Sequence, residues 1–177
     1  MTVSWLRFEW DLHRLPTTEI EIPNSYIVRA ARKEDEDVIQ KVTASAFSMD
    51  TGWGDIQKLI MEKILVNVGL PFEKDGNGQC IVLQHGSRII GSSALCMDAA
   101  AEYHLTTGPC ILHEYRSRGL GSLLLQASLG ALREAGLKRA FGIARDRSAV
   151  ARFIYPKFEG SAQPWTPDFV AAPKIAA

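Results

Sequence analysis

The sequence of 177 residues has few cysteines, no excess of charge of either sign and no long uninterrupted apolar run. Its three cysteines, Cys80, Cys96 and Cys110, stand apart in apolar surroundings. This spacing fits neither a disulfide framework nor the close cysteine pairs of a zinc site. We therefore expect buried, reduced thiols in a cytoplasmic protein that holds no metal.

The 20 Lys and Arg residues equal the 20 Asp and Glu residues in number. Such a balance supplies no global basic field for nucleic acid and no acidic tail. Near the N-terminus, Arg7, Glu9 and Asp11 interrupt the apolar residues, which is typical of neither a signal peptide nor a membrane span. The expectation is a protein with no nucleic-acid and no membrane partner.

With 46% hydrophobic residues, the chain is long enough for one sizeable core and short for two. Alternating apolar and charged residues over 6–12 predict a half-buried strand, which either extends a sheet edge or serves a dimer interface. A strand at 26–30 then leads into a helix with an acidic first turn at 34–37, and a second helix follows with Asp55 as its N-cap and an apolar face. That face consists of Ile56, Leu59, Ile60, Ile64 and Val68. We expect an N-terminal extension with one strand over 1–25 and the main domain over 26–177.

The second half of the chain predicts a hairpin followed by a strand, helix, strand unit. Strands at 80–83 and 88–97 flank a turn, and an extended stretch follows at 104–112. A helix over 122–135 ends before Gly136, and a short strand covers 140–144. A strand, a crossover helix and a second buried strand predict a parallel pair with a right-handed crossover.

The most informative segment lies where the extended stretch meets this helix and has the pattern R-x-x-G-x-G, with Arg116, Gly119 and Gly121. The first N–H groups of a helix have no partner within it, so together with the helix dipole they form a site for a phosphate group. Glycines allow the close approach of a pyrophosphate, and Arg116 and Arg118 can add charge-assisted hydrogen bonds. Leu124 replaces the third glycine of G-x-G-x-x-G, and G-K-[ST] is absent, which argues against those two nucleotide loops. A tight turn with a solvated basic face remains the alternative.

The segment 110–160 resembles the GNAT family of N-acetyltransferases, in which an apolar strand, a P-E-Y-R-G-R-G-I-G pattern and an amphipathic helix follow one another. The matching residues run from Ile111 to Gly121. Further on, Ser148, Ala151 and Tyr155 stand where the family has Asn, Ala and Tyr. The sequence departs from the family at Pro156, Glu159 and Gly160, and at Gly108 and Pro109 in the strand before the motif.

The resemblance implies an α/β (α+β) acyl-CoA N-acyltransferase fold, with a mixed central sheet flanked by helices and a splayed pair of parallel strands. It also implies acetyl-CoA as co-substrate and a small-molecule or peptide amine as acceptor. The backbone of the strand would bind the pantetheine arm, the motif would bind the pyrophosphate, and Ser148 would complete the site. The implied cofactor-binding residues are Cys110, Ile111, Leu112, Arg116, Ser117, Arg118, Gly119, Leu120, Gly121, Ser122 and Ser148.

The same resemblance supplies catalytic candidates. Tyr155 matches the family tyrosine, and its weakly acidic phenol suits a general acid that protonates the departing thiolate. Glu102, with His104 as its alternative, lies near the position where the family places a carboxylate or an ordered water as base. Glu114 is expected to be structural. Around the acceptor, Trp53 would supply a flat wall, and Asp50 or Asp55 would attract an ammonium group.

Two other classes of function stay open at this point. The runner-up is a non-catalytic module that binds acyl-CoA without turnover, and a homodimer is compatible with either activity. A nucleic-acid-binding protein is disfavoured by the charge balance and by the lack of aromatic residues between the basic ones. Its basic patch would consist of Arg116, Arg118, Arg133, Lys138 and Arg139.

Overall fold

The computed structural model describes residues 4–17 and 19–168. Seven strands and three α-helices of eight or more residues lie within this part of the chain. The strands are β1 Trp5–Asp11, β2 Tyr26–Ala30, β3 Gly78–His85, β4 Arg88–Cys96, β5 Cys110–Ile111, β6 Arg139–Arg145 and β7 Ser161–Trp165. The helices are α1 Glu36–Ser48, α2 Gln57–Gly69 and α3 Leu120–Glu134, and short 3₁₀ or π turns connect several elements.

One sheet has four strands in the order β2-β3-β4-β5, and every neighbouring pair is antiparallel. The predicted hairpin is confirmed as β3 and β4, joined at a turn where Gly86 has φ of 59°. Successive residues of β4 point to opposite faces of the sheet. The hydroxyls of Ser92 and Thr43 of α1 lie 3.0 Å apart, whereas a β carbon on Gly91 would point at Leu124 of α3. Helices α1 and α3 therefore cover opposite faces of the sheet.

The other sheet has three strands in the order β6-β1-β7, with β1 antiparallel to both neighbours. The alternation predicted a strand here correctly. Of the two roles left open for it, the position at a sheet edge does not apply, because β1 lies in the centre of its sheet, and a dimer interface stays a prediction. Phe8 and Trp10 are buried on it and pack edge-on against Tyr155, at 5.0 and 4.9 Å between ring centroids. The N-terminal strand thus forms part of the core behind Tyr155.

The two sheets meet around Leu105. This residue forms an antiparallel bridge with Leu95 and a parallel bridge with Gly142. The extended stretch predicted over 104–112 is shorter in the structure, since only Cys110–Ile111 pairs as a strand. Between bridge and strand, Gly108 has φ of 68° and Pro109 has no N–H to donate, so regular pairing is interrupted there.

The helices confirm most of the sequence prediction and correct it at two positions. A 3₁₀ turn, Lys33–Asp35, precedes α1, and Gly136, with φ of 91°, follows α3 as predicted. In contrast to the prediction, Ile56 and not Asp55 occupies the N-cap position of α2, and Leu59 is exposed. Among the described helices none combines the length and the apolar character that a membrane span requires.

Candidate active site

A cleft of about 430 Å³ is lined by residues of both sheets. Strands β5 and β6 belong to different sheets, so the splayed parallel pair expected of them stays a prediction. We refer to its two parts by the helices beside them. The α3 half is lined by Arg116, Ser117, Gly119, Leu120, Gly121, Ser122, Ser148, Phe153, Ile154 and Lys157. The α1/α2 half is lined by Trp5, Phe47, Asp50, Trp53, Ile60, Lys63, Ile64, Asn67 and Tyr103. Because α1 and α3 cover opposite faces of the four-stranded sheet, the lining residues of the cleft come from both of these faces.

The N-terminus of α3 opens into this cleft. Gly119 is its N-cap residue with φ of 77°, a left-handed conformation that glycine adopts without strain. Apart from its neighbours along the chain, no atom of the described residues lies within 4 Å of the position of a β carbon on Gly119. Beside it, Lys157 donates a hydrogen bond of 3.2 Å to the Ser122 hydroxyl. Free backbone N–H groups, open space and an ammonium group make this end suitable for a phosphate ligand.

Gly121 lines the cleft and also has a packing role, while its contact with a cofactor stays a prediction. A β carbon there would lie 2.8 Å from Cδ1 of Ile154, which belongs to the π-helical turn Val150–Ile154. Gly121 therefore allows this turn to pack against the start of α3. The same packing brings Lys157 to the cleft, a contribution that sequence analysis missed because no motif includes this residue.

The two motif arginines are held mainly by main-chain carbonyls. Arg116 donates to Ile111 O at 3.1 Å and to Ala46 O at 2.7 Å, so it ties β5 to the end of α1. Arg118 is exposed and donates to Glu114 O at 3.1 Å. Glu114 forms a surface ion pair with Arg88 at 3.2 Å, which accords with the structural role expected of it. Contacts of either arginine with a phosphate remain a prediction.

Strand β5 is the edge strand of its sheet and faces the cleft. Its residues pair with Gly91 and Ser92 of β4 on one side only. On its other side the Ile111 carbonyl already accepts a hydrogen bond from Arg116, and pairing of the remaining backbone groups with an extended ligand, as in β-strand addition, stays a prediction. Leu112 follows the strand, is buried and donates its N–H to Ile90 O at 2.9 Å.

Ser148 lines the cleft and accepts a hydrogen bond of 3.2 Å from Ala151 N of the π-helical turn.

Tyr155 lines the cleft and lies beside Gly108. Its hydroxyl oxygen lies 2.8 Å from the point that a β carbon on Gly108 would occupy. The side chain is 1% exposed, and burial raises the pKa of its phenol, with a smaller contribution from Cys110. Burial likewise raises the pKa of the Cys110 thiol to about 12. Both groups are therefore protonated at neutral pH, and Cys110 is not a thiolate nucleophile.

Neither candidate base is placed well for that role. The Glu102 carboxylate accepts a hydrogen bond from the Trp165 ring at 2.9 Å, and the Glu102 carbonyl accepts two from Arg7. His104 is 1% exposed, and its Nδ1 accepts from Phe141 N at 3.0 Å. The proton of the neutral ring therefore lies on Nε2, which donates to Asp98 O at 3.0 Å. Burial lowers the pKa of this imidazole, so both ring nitrogens serve the fold.

We expect His104→Ala to lower the free energy of unfolding by about 3 kcal/mol, because it leaves a buried N–H and a buried carbonyl without partners. The neutral His104 ring contributes to the free energy of unfolding above pH 6.5, which is about the pKa of histidine in the unfolded chain. This contribution is lost as the pH falls through the lower pKa that His104 has in the folded protein. Urea unfolding between pH 5 and 8 measures this, with exposed His13→Ala as the control. Equal stability of the two variants would contradict the structural role of His104.

The α1/α2 half of the cleft is aromatic. The Trp53 ring lies between Phe47, 5.5 Å away, and Trp5, 6.0 Å away. Behind it, Arg145 stacks on both indoles and donates a hydrogen bond to Gly52 O, which joins the 3₁₀ turn Thr51–Ile56 to β6. Trp53 therefore lines the cleft, and its contact with an acceptor stays a prediction. Asp50 lines the cleft and also accepts from Gly52 N at 2.9 Å.

Ionisable side chains are few in the cleft. Asp50 is the only carboxylate among the cleft side chains that the structure describes, whereas Lys63, Arg116 and Lys157 are cations. The side chain of Asp55, the other candidate for an ammonium partner, lies outside the described part. The Thr106 hydroxyl, also at the cleft, is buried and lacks a hydrogen-bond partner within the described chain. In residues 4–17 and 19–168, no group of three or more His, Cys, Asp or Glu side chains is arranged to hold a metal ion.

Solved structures share this fold at low sequence identity. A GCN5-related N-acetyltransferase from Kribbella flavida matches 92% of this chain and 56% of its own, with 16% identity and a TM-score of 0.58. One from Sphaerobacter thermophilus matches 93% of this chain and 50% of its own, with 14% identity and a TM-score of 0.58. The chain thus spans about half the length of these structures. A comparison with curated proteins found no match.

The family model described as "Acetyltransferase (GNAT) family" matches residues 48–158, more than half of the chain. This segment includes α2, the hairpin, β5, the glycine motif with α3, β6 and Tyr155, which are the elements around the cleft. Together with the shared fold, the match confirms the resemblance inferred from the motif. The chain belongs to the GNAT acetyltransferase family.

Proposed function

We propose that this protein transfers an acetyl group from acetyl-CoA to a primary amine by direct attack. The observation that carries the proposal is a single cleft whose lining includes the N-terminus of α3, which suits a phosphate group, and a separate apolar, aromatic part beside α1 and α2. The pyrophosphate would lie at the N-terminus of α3, near Gly119 and Lys157. The pantetheine arm would pair with the edge of β5. This pairing would bring the thioester into the part of the cleft beside Gly108 and Tyr155, which we call the gap.

In this reaction the amine nitrogen bonds to the thioester carbon and the carbon–sulfur bond breaks. The proton that the nitrogen loses replaces the acetyl group on the sulfur, so no oxidant or reductant is needed. Tyr155 is the proposed general acid, because its phenol is protonated and lies in the gap. Because the pKa of this phenol is raised, we expect it to donate a strong hydrogen bond to the developing thiolate and not to transfer its proton early.

Direct attack is favoured over an acetylated protein intermediate. The cleft thiol, Cys110, has a pKa raised to about 12 and therefore has almost no thiolate at neutral pH. Glu102 and His104 are engaged elsewhere, so the proposed base is water or the Asp50 carboxylate at the cleft. Such a base needs only to remove a proton from an ammonium group before the attack.

The proposal is tested by calorimetry with coenzyme A and acetyl-CoA, followed by measurement of thiol release with and without amines. We expect saturable binding of both ligands and thiol release above the hydrolysis background only when an amine is present. Binding without amine-dependent release would instead favour the non-catalytic acyl-CoA-binding module. Absence of binding by well-folded protein would contradict both activities.

A further inference from the structure

We infer that the acceptor is a primary monoamine carried on an aromatic body, which the α1/α2 half of the cleft binds against a wall formed by Trp5, Phe47 and Trp53. The inference rests on the proposed function and specifies its substrate class. The three aromatic residues come from β1, the end of α1 and the following 3₁₀ turn, so chain segments distant in sequence converge on one space. Ile60 and Ile64 of α2 extend the apolar wall.

The shape of this half favours a flat, apolar group. Trp53 is tilted by 35° to Trp5 and by 33° to Phe47. Aromatic rings attract one another in offset and edge-on arrangements, in addition to the stabilisation from the area that they bury. Arg145 holds the turn that carries Trp53 against Trp5, so this wall is fixed before a ligand binds. A preformed aromatic site of this kind loses little conformational entropy on binding a planar ring.

The charges of the cleft exclude acceptors with several amino groups. A polyamine or an aminoglycoside needs several carboxylates to hold its ammonium groups. The described part of the cleft offers Asp50 alone, and the Asp50 carboxylate already accepts a backbone hydrogen bond. Lys63 in the same half, and Arg116 near the gap, would repel a second positive charge. One cationic group is therefore the most that the site accommodates.

The polar groups present match a single amine. The buried Thr106 hydroxyl has no hydrogen-bond partner in the described chain, although such groups are normally satisfied. Thr106 lies next in sequence to Leu105, where the two sheets meet, and thus close to the gap proposed for the thioester. A neutral amine that donates its N–H to Thr106 Oγ1 would have its nitrogen near that gap and its ring near Trp53.

The test compares phenethylamine, n-butylamine and spermidine as acceptors for the unmodified protein. We expect kcat/KM for phenethylamine to exceed that for each of the other two amines at least tenfold. Equal or higher efficiency with butylamine or spermidine would overturn the inference while leaving acetyl transfer established. If coenzyme A binds but no amine at all releases thiol, the proposed function fails and the inference fails with it.

A pair of variants tests the aromatic wall itself. Trp53→Ala is expected to raise KM for phenethylamine about tenfold and to change KM for butylamine less than twofold. The control is Trp165→Leu, because Trp165 pairs with Trp5 across β1 and β7 but binds Glu102 and Arg7 and does not line the cleft. This control should retain the preference for phenethylamine. A Trp53→Ala protein with unchanged preference would refute the assignment of the wall.

Discussion

Gly119→Asp is expected to weaken the binding of coenzyme A at least 100-fold, as measured by calorimetry. The glycine is the N-cap of α3, and the space around the position of its β carbon is empty. A carboxylate placed there would occupy the proposed diphosphate site and repel the ligand. The substitution also costs about 1–2 kcal/mol of stability, since φ at this position is 77°.

Gly136→Asp is the matched control for this experiment. Gly136 follows the other end of α3, has φ of 91° and likewise has no atom within 4 Å of the position that a β carbon would occupy. The new carboxylate there would face the negative end of the helix dipole, so this variant should be the less stable of the two. It should nevertheless bind coenzyme A normally. Equal affinity of both variants would contradict a diphosphate site at Gly119.

Tyr155→Phe is expected to lower kcat for acetyl transfer about 100-fold and to leave the affinity for coenzyme A nearly unchanged. General acid catalysis contributes about 10²–10⁴-fold in enzymes of known mechanism. Phenylalanine retains the ring that packs edge-on against Phe8 and Trp10, so the fold should persist. Tyr26→Phe, which removes a phenol outside the cleft, is the control. An unaltered rate would remove Tyr155 from the mechanism.

The dependence of kcat on pH provides a separate check of the same residue. Burial raises the pKa of Tyr155, so the phenol remains protonated above pH 10. The rate should therefore rise with pH as the acceptor amine loses its proton, without a decline below pH 10. The result that would contradict a buried, protonated acid is a fall of kcat near pH 8 in the native enzyme, if the Tyr155→Phe variant does not show the same fall.

Local sequence patterns predicted the elements around the cleft well. The alternation in β1, the hairpin of β3 and β4 and the glycine after α3 all depend on neighbours within a few residues. The glycine motif at the start of α3 led to the GNAT family, which the family model confirms. Such signals are readable because backbone conformation and side-chain periodicity are local properties of a chain.

The side-chain partners were beyond local reasoning. Arg116 has the residue type that a phosphate site requires, yet it binds the carbonyls of Ile111 and Ala46. Glu102 and His104 are chemically suitable bases whose polar atoms have other partners. Lys157 lines the cleft because Gly121 allows a turn about 30 residues away to pack closely. Each of these contacts depends on segments that meet only in the folded molecule.

The sequence by itself determined the type of most elements, the glycine-bearing start of α3 and the family. Tertiary structure alone decided that β1 lies between β6 and β7, and that Trp5 of this strand meets Phe47 and Trp53 at the cleft. The physical reason is that strand pairing and side-chain packing join residues separated by many positions in the chain. A half-buried strand has the same alternating pattern wherever it lies in a sheet.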